Sequence, residues 1–257
     1  MLDSVIRTLQ IIESIHNARR GLTIQELAEI LDKNRTTLHH QVSTLVRMGY
    51  LFRDSVTRKY DIGSHLIEIG QRYLNRLDIR RVAHIHLERL SRRLDETVNL
   101  LILRNFELVY IDKFDFTQRV GDLKPSFYIG ASTQAYATAA GKVLLASLSE
   151  EEIDNMLSRN DLVARTEHTI TDPTTLKKEL KIIFCQGFAV DNEEHQIGVK
   201  CIAVPLINNR PQVVAAISVS GPAGRFKASY MTESILPELK KTADTISRAL
   251  GYSDHHD

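Results

Sequence analysis

The sequence predicts a mixed α+β chain in two parts joined by a helical stretch, and three observations carry that expectation. Residues 1–63 show apolar residues at helical spacing three times over, then an alternation around a polar centre. Residues 64–94 keep the helical period but are rich in arginine. Beyond Asp95 the apolar residues gather into short β-branched runs that alternate with helical segments. The bulk properties agree. The 257 residues are 43% hydrophobic and 25% charged, enough to bury a sizeable core in one large or two smaller domains. The net charge of +1 excludes a protein basic throughout, but it averages over local fields.

Each element follows from its residues. SVIRTLQIIESIHN reads as a helix capped by Ser4, with Val5, Leu9, Ile12 and Ile15 as its inward stripe, broken at Gly21. TIQELAEIL carries the Thr23–Glu26 capping box and turns Leu27, Ile30 and Leu31 inward. The polar turn at Asp32, Lys33 and Asn34 leads into a third helix that buries Leu38, Val42, Leu45 and Val46 and stops at Gly49. YLFRDSVTRKYDIG alternates as a hairpin does. This order, three helices and a ribbon over 1–63, is that of a winged helix-turn-helix. Two helices follow within 64–94, the first (64–77) a linker and the second capped by Asp78. In the second domain, 78–257, TVNLLIL and LVYIDKF are strands around a turn at Arg104, Asn105 and Phe106. ATAAGKVLLASL, SEEEIDNML, TLKKELKIIFCQG and TESILPELKKTADTISRALG are helices, and CIAVPLI and QVVAAISVSG are central strands. The SDHHD tail is expected to be disordered.

The third helix has an unusual outer face. It shows Arg35, Thr36, Thr37, His39, His40, Ser43 and Arg47, with no acid after Asp32. Six bases (Lys33, Arg35, Arg47, Arg53, Arg58 and Lys59) stand against two acids (Asp32 and Asp54) between 32 and 59. A recognition helix needs such a face. One side packs on its own domain, and the other offers donors to base edges and phosphates without repelling them. The expected DNA-contacting residues are Thr23, Lys33, Asn34, Arg35, Thr36, Thr37, His39, His40, Ser43, Arg53, Arg58 and Lys59. The expected partner is double-stranded DNA. The arginines of 64–94 read as a charged outer face on connecting helices.

The second domain carries the more specific signal. ATAAGKVLLA, GFAVDNEEHQIGVKCIAVPLI, VVAAISVSGP and SRALGY resemble segments of the IclR family of transcriptional regulators, with Gly187, Asp191, Glu194, Gly198, Cys201, Ala203, Pro205, Ser218 and Ser220 at matching positions. The likeness runs nearly end to end. It implies a winged helix-turn-helix joined through a linker helix to a GAF/PAS-like effector-binding domain. It also implies a homodimer formed through the DNA-binding domains, extended in many members to a tetramer. The implied function is a repressor of a catabolic operon, with an activator as the alternative. The implied effector-binding residues are Tyr136, Thr138, Ala139, Gly141, Asp191, Cys201, Ser218 and Ser220. The chain departs from the family's P-L-H-A-T-A at residues 134–139, which read QAYATA, so the resemblance places the pocket and does not name its ligand.

An enzymatic alternative uses Cys201 as thiol, His195 as base and Asp191 as carboxylate. Against it, His195 falls in a polar loop and Cys201 opens an apolar strand. The sensor reading fits these residues better. Ser218 and Ser220, two apart on a strand, address one pocket. An acidic effector would meet the helix start near Thr138, and Asp191 would take a hydroxyl. A hydroxy acid or sugar-acid derivative satisfies both. The two cysteines, Cys185 and Cys201, have no metal-ligand spacing, and no metal or cofactor is expected. The start, MLDSVIRTLQIIESI, is not a signal peptide, and no run is long enough to cross a bilayer. A cytoplasmic protein with no membrane partner is therefore expected.

Overall fold

The structure, a computed structural model, describes residues 3–18, 20–116 and 127–253. It divides into two compact units, Met1–Arg76 and Leu77–Asp257. The histidines of the SDHHD tail lie outside the described residues.

The first unit contains α1 (Asp3–Asn17), α2 (Ile24–Leu31), α3 (Arg35–Arg47), the antiparallel ribbon β1 (Leu51–Arg53) and β2 (Tyr60–Ile62), and α4 (Ser64–Asn75). Its core is Ile11, Ile15, Leu22, Leu27, Leu38, Val42, Leu45, Leu51 and Tyr60. Three expected core residues are exposed instead: Val5 (53%), Leu9 (55%) and Ile30 (58%). The apolar spacing of α1 allows two phasings, and Ile11 with Ile15 takes the inward one. Ser4 lies inside the first turn rather than at the cap. Likewise Asp78 stands in the first turn of α5 (Asp78–Leu94), where it meets Arg81 at 3.1 Å, and Leu77 holds the cap position.

The second unit is built on a six-stranded antiparallel sheet. Its strands are β3 (Thr97–Arg104), β4 (Glu107–Phe114), β5 (Ser132–Gln134), β6 (Ala189–Asn192), β7 (Val199–Ile207) and β8 (Val213–Pro222), in the order β5-β4-β3-β8-β7-β6. The short edge strands β5 and β6 have no counterpart in the sequence reading. Helices α6 (Ala139–Ala146), α7 (Glu150–Arg159), α8 (Pro173–Gln186) and α9 (Leu236–Ala249) complete the unit, and a π-helical turn at Tyr230–Ile235 leads into α9. Helix α6 packs on one face of the sheet and α5 with α9 on the other.

Two local constraints position the site. The register of β3 against β4 slips between Leu100 and Leu101, so Leu101 faces Tyr110 while Leu100 faces Asp112, with Ile111 as the extra residue. A bulge of this kind turns neighbours two apart to opposite faces. Tyr110 therefore faces α6, and Asp112 faces α5, where it meets His84 at 2.7 Å and Arg80 at 3.6 Å. The second constraint is Gly141 in α6. A Cβ there would stand 2.0 Å from the carbonyl oxygen of Ala135. Gly141→Ala is expected to destabilise the fold by about 1–3 kcal/mol or more through overpacking against backbone. The urea unfolding midpoint measures it.

Candidate functional site

In the first unit, Leu38, Val42 and Leu45 pin α3 to the core. The opposite face leaves Arg35, Thr36, Thr37, His39, His40 and Ser43 exposed, and α3 contains no acid. Asn34 accepts the Thr36 N–H at 2.8 Å and so caps this helix. Thr23 and Glu26 cap α2 reciprocally, at 3.2 Å and 2.6 Å. These two polar groups hold the helix starts in place, while Lys33 in the turn is exposed. In the wing, Asp54 accepts the backbone N–H groups of Val56 and Thr57 at 3.0 Å and 2.6 Å, which closes the tip. Arg53 and Arg58 are exposed there, the latter at φ +60°. Lys59 leans back to Glu26 at 3.6 Å.

In the second unit a cavity lies between the sheet and the start of α6. Strand register brings its polar residues together. Asp191 pairs with Cys201, Cys201 with Ser220, and Asn99 with Ser218. Asn99 Nδ2 donates to Ser220 Oγ at 3.2 Å and to Ser218 Oγ at 3.4 Å. Thr138, Ala139, Asp191, Cys201, Ser218 and Ser220 all line the cavity, with Leu101, Leu108, Tyr110, Phe127, His195 and Gln196. Thr138 caps α6 by accepting the Gly141 N–H at 3.1 Å. The first N–H groups of a helix have no partner within it, and those of Ala139 and Ala140 belong to residues of the cavity wall.

Two residues from the sequence reading are elsewhere. The Tyr136 hydroxyl is held by Val163, donating to its carbonyl and accepting its N–H, both at 2.9 Å. Gly141 packs against Ala135. In the other direction, Tyr110 and Phe127 line the cavity and Asn99 holds two of its hydroxyls, Ser218 and Ser220, and the sequence did not single out any of the three. Asn99 alone left a signal, as the polar residue inside the apolar run TVNLLIL.

The loop after β6 closes the cavity on one side. Asp191 Oδ1 accepts the N–H groups of Glu194 at 2.7 Å and His195 at 3.4 Å. Glu194 in turn meets the buried ammonium of Lys142 at 2.6 Å. The His195 ring is bonded to Thr133 Oγ1 through Nε2 at 2.8 Å and meets the Phe127 ring edge-on at 5.1 Å. Phe127 stacks on Tyr110 at 4.7 Å. The free space left among these side chains is about 20 Å³, little more than one water.

Burial governs the titrating groups. It pushes Asp191 up to about 7, aided by the neighbouring Glu194 carboxylate. It pushes His195 down to about 4, aided by Arg165. It also raises Cys201 well above the usual thiol range, with Asp191 adding to the effect. A thiol so raised supplies no thiolate at neutral pH, and the cavity is poor in nucleophile but rich in hydrogen-bonding groups. Among the described residues no group of three or more His, Cys, Asp or Glu could hold a metal. No helix there is long and apolar enough to cross a membrane.

Comparison with known proteins gives a uniform result. Residues 71–248 match the family model described as bacterial transcriptional regulator IclR C-terminal, and residues 4–55 match the IclR helix-turn-helix domain. The chain is 34% identical over 254 residues to the HTH-type transcriptional regulator XynR of Escherichia coli (strain K12), covering 98% of each chain. It is 30% identical over 234 residues to the transcriptional repressor IclR of the same organism, covering 90% of this chain and 84% of that one. The crystal structure of the Thermotoga maritima IclR is similar, with a TM-score of 0.80 at 34% identity, over 98% of this chain and 100% of that one.

The buried carboxyl makes a pH prediction with a definite sign. Raising Asp191 from 3.8 to about 7 favours its protonated form in the fold. That stabilisation is full below about pH 4 and is lost as pH rises through about 7. His195, lowered from 6.5 to about 4, runs the other way. Its stabilisation is present above about pH 6.5 and is lost as pH falls through about 4. In the wild type the two partly cancel. Asp191→Asn removes only the first, so the variant is expected to gain stability relative to wild type between about pH 5 and pH 7.5. Urea unfolding of both proteins at the two pH values measures it.

Proposed function

This chain belongs to the IclR family of bacterial transcriptional regulators, and on that footing we propose that it is a cytoplasmic repressor of a catabolic operon, released or tightened on its operator by a small hydroxylated acid. Its DNA binding rests on the helix-turn-helix domain of the family. The repressor sense is taken from the relative named as one. The observation that carries the effector reading is the polar row of Asn99, Ser218, Ser220, Cys201 and Asp191 facing the start of α6.

Each group has a role in this reading. The N–H groups of Ala139 and Ala140 take the effector's carboxylate, where a helix start favours an anion. Ser220 and Asp191 share the effector's hydroxyl. Asp191, partly protonated near neutral pH, repels an acid less than a free aspartate would. Leu101, Leu108 and Tyr110 contact the carbon skeleton. On the DNA side, Arg35, Thr36, Thr37, His39, His40 and Ser43 read the major groove, while Arg53 and Arg58 grip phosphates. The acting species is a dimer, so the operator is a pseudo-palindrome. A metabolite-library thermal-shift screen tests the effector class, since a bound ligand raises the melting temperature by mass action. If only plain hydrocarbons shift it, the polar assignment fails.

Two predictions follow from this division of labour. Operator affinity is expected to fall steeply with added salt. Arg58→Ala is expected to weaken binding to all duplexes alike, whereas Arg35→Ala changes sequence preference by about 1–3 kcal/mol at the affected base pair. Electrophoretic or fluorescence titrations on matched and mismatched duplexes measure both. In the cavity, Ser220→Ala is expected to weaken effector binding by about 0.5–1.5 kcal/mol while operator binding without effector stays unchanged. Paired operator titrations, with and without effector, check this. A folded variant that loses operator binding but keeps effector affinity would remove Ser220 from the cavity's function.

A further inference from the structure

The arginine-rich stretch is not used by either site described above. Most of its members in α5 have a partner. Arg80 reaches Asp112, Arg81 reaches Asp78, and Arg92 meets Glu88 while lying over the Phe116 ring. Arg93 pairs with Glu238 of α9. Arg89 has no ion pair or hydrogen bond among the described residues. It lines a recess between α5 and α9 together with His86, Arg93, Lys241, Thr242 and Thr245. The recess holds about 130 Å³, several waters' worth of space.

The recess gathers unspent donors. The side chains of Lys241 and His86 also lack an ion pair or hydrogen bond among the described residues, as does the half-buried hydroxyl of Thr242. The acid that reaches the group, Glu238, is taken by Arg93. Arg89, Arg93 and Lys241 against Glu238 leave two positive charges in excess. Arg89 and Arg93 stand four apart on one helix, a like-charged arrangement that disfavours the helix by a small amount unless an anion intervenes. The free guanidinium of Arg89, the donors that Arg93 keeps beside its bond to Glu238, one ammonium and a hydroxyl around a small recess suit an oxyanion in charge and donor number.

We propose that the α5–α9 recess is a second small-molecule site, one that takes a phosphate group. Arg89 and Arg93 bind phosphate oxygens through their planar forks, Lys241 adds a point charge, and Thr242 donates its hydroxyl. Helices α5 and α9 cover the face of the sheet opposite α6, so this site is separate from the effector cavity. It stands whether or not the cavity takes a hydroxy acid.

The test is isothermal titration of the full chain in phosphate-free buffer, with inorganic phosphate in one arm and ribose 5-phosphate in the other. Saturable binding is expected, weakened at least about tenfold in an Arg89→Ala, Lys241→Ala double variant. Both side chains are exposed, so the variant is expected to keep the wild-type unfolding midpoint. An Arg35→Ala, Arg58→Ala variant strips the DNA-facing side and serves as the control, with phosphate binding retained. Binding of both probes means that free phosphate suffices. Binding of the ester alone means an organic phosphate, and either result supports the site. No saturable binding at millimolar concentration overturns the proposal, as does binding that vanishes with Arg35 and Arg58 and survives the loss of Arg89 and Lys241.

Discussion

One buried ammonium organises the second unit. Lys142 is 1% exposed and stands among the largest fully buried side chains of the described residues. Its Nζ lies 2.6 Å from Glu194 and 3.5 Å from Glu179, so a single charge ties α6 to α8 and to the loop after β6. Removing one partner of such a pair strands the other charge and costs about 3–5 kcal/mol. The geometry of the cavity depends on this pair. Glu194, fixed by Lys142, gives its N–H to Asp191, and Asp191 then holds its place in the polar row. Thr166 and Thr169 donate to the carbonyl oxygens of Glu193 and Glu194 at 2.7 Å and 2.6 Å, anchoring the loop from outside. The second oxygen of Glu194 is buried without a hydrogen bond among the described residues.

The sheet separates two kinds of chemistry, and the bulge in β4 makes the division. Without Ile111 as the extra residue, Tyr110 and Asp112 would share a face. With it, Tyr110 closes the cavity and Asp112 anchors His84 and Arg80 of α5. A single strand therefore touches the cavity on one side and the first helix of the unit on the other. A displacement of β4 at Tyr110 has a direct route to α5 through backbone two residues long.

Much of this was legible in the sequence wherever the cause was local. The cap of α2 is readable because Thr23 and Glu26 are three residues apart, whereas Ser4 and Asp78 each fall inside the first turn of the helix they were expected to cap. The shared face of Ser218 and Ser220 was readable because strand period is two. The basic face of α3 was readable because its apolar partners Leu38, Val42 and Leu45 fix the phase. The failures have equally definite causes. The phase of α1 is not fixed locally, because adjacent Ile11 and Ile12 offer two solutions and only packing chooses. The role of Asn99 is not local either, because its partners are more than a hundred residues away, at Ser218 and Ser220. Family position implies Tyr136 in the cavity, yet its hydroxyl is committed to Val163, in a loop whose path no local rule fixes. Strands β5 and β6 are three and four residues long, too short for an alternation to register.

The tightness of the cavity has a kinetic consequence. Phe127, stacked on Tyr110 and edge-on to His195, fills the space a metabolite would need, and about 20 Å³ remains. Entry must then wait until the rings or the loop part, because a packed interior does not yield continuously. For any ligand of this cavity, the observed association rate then levels off with concentration at the opening rate instead of climbing toward the diffusion limit. Changes in supply shorter than the opening time pass unregistered, and occupancy follows their average over a window that the protein itself sets.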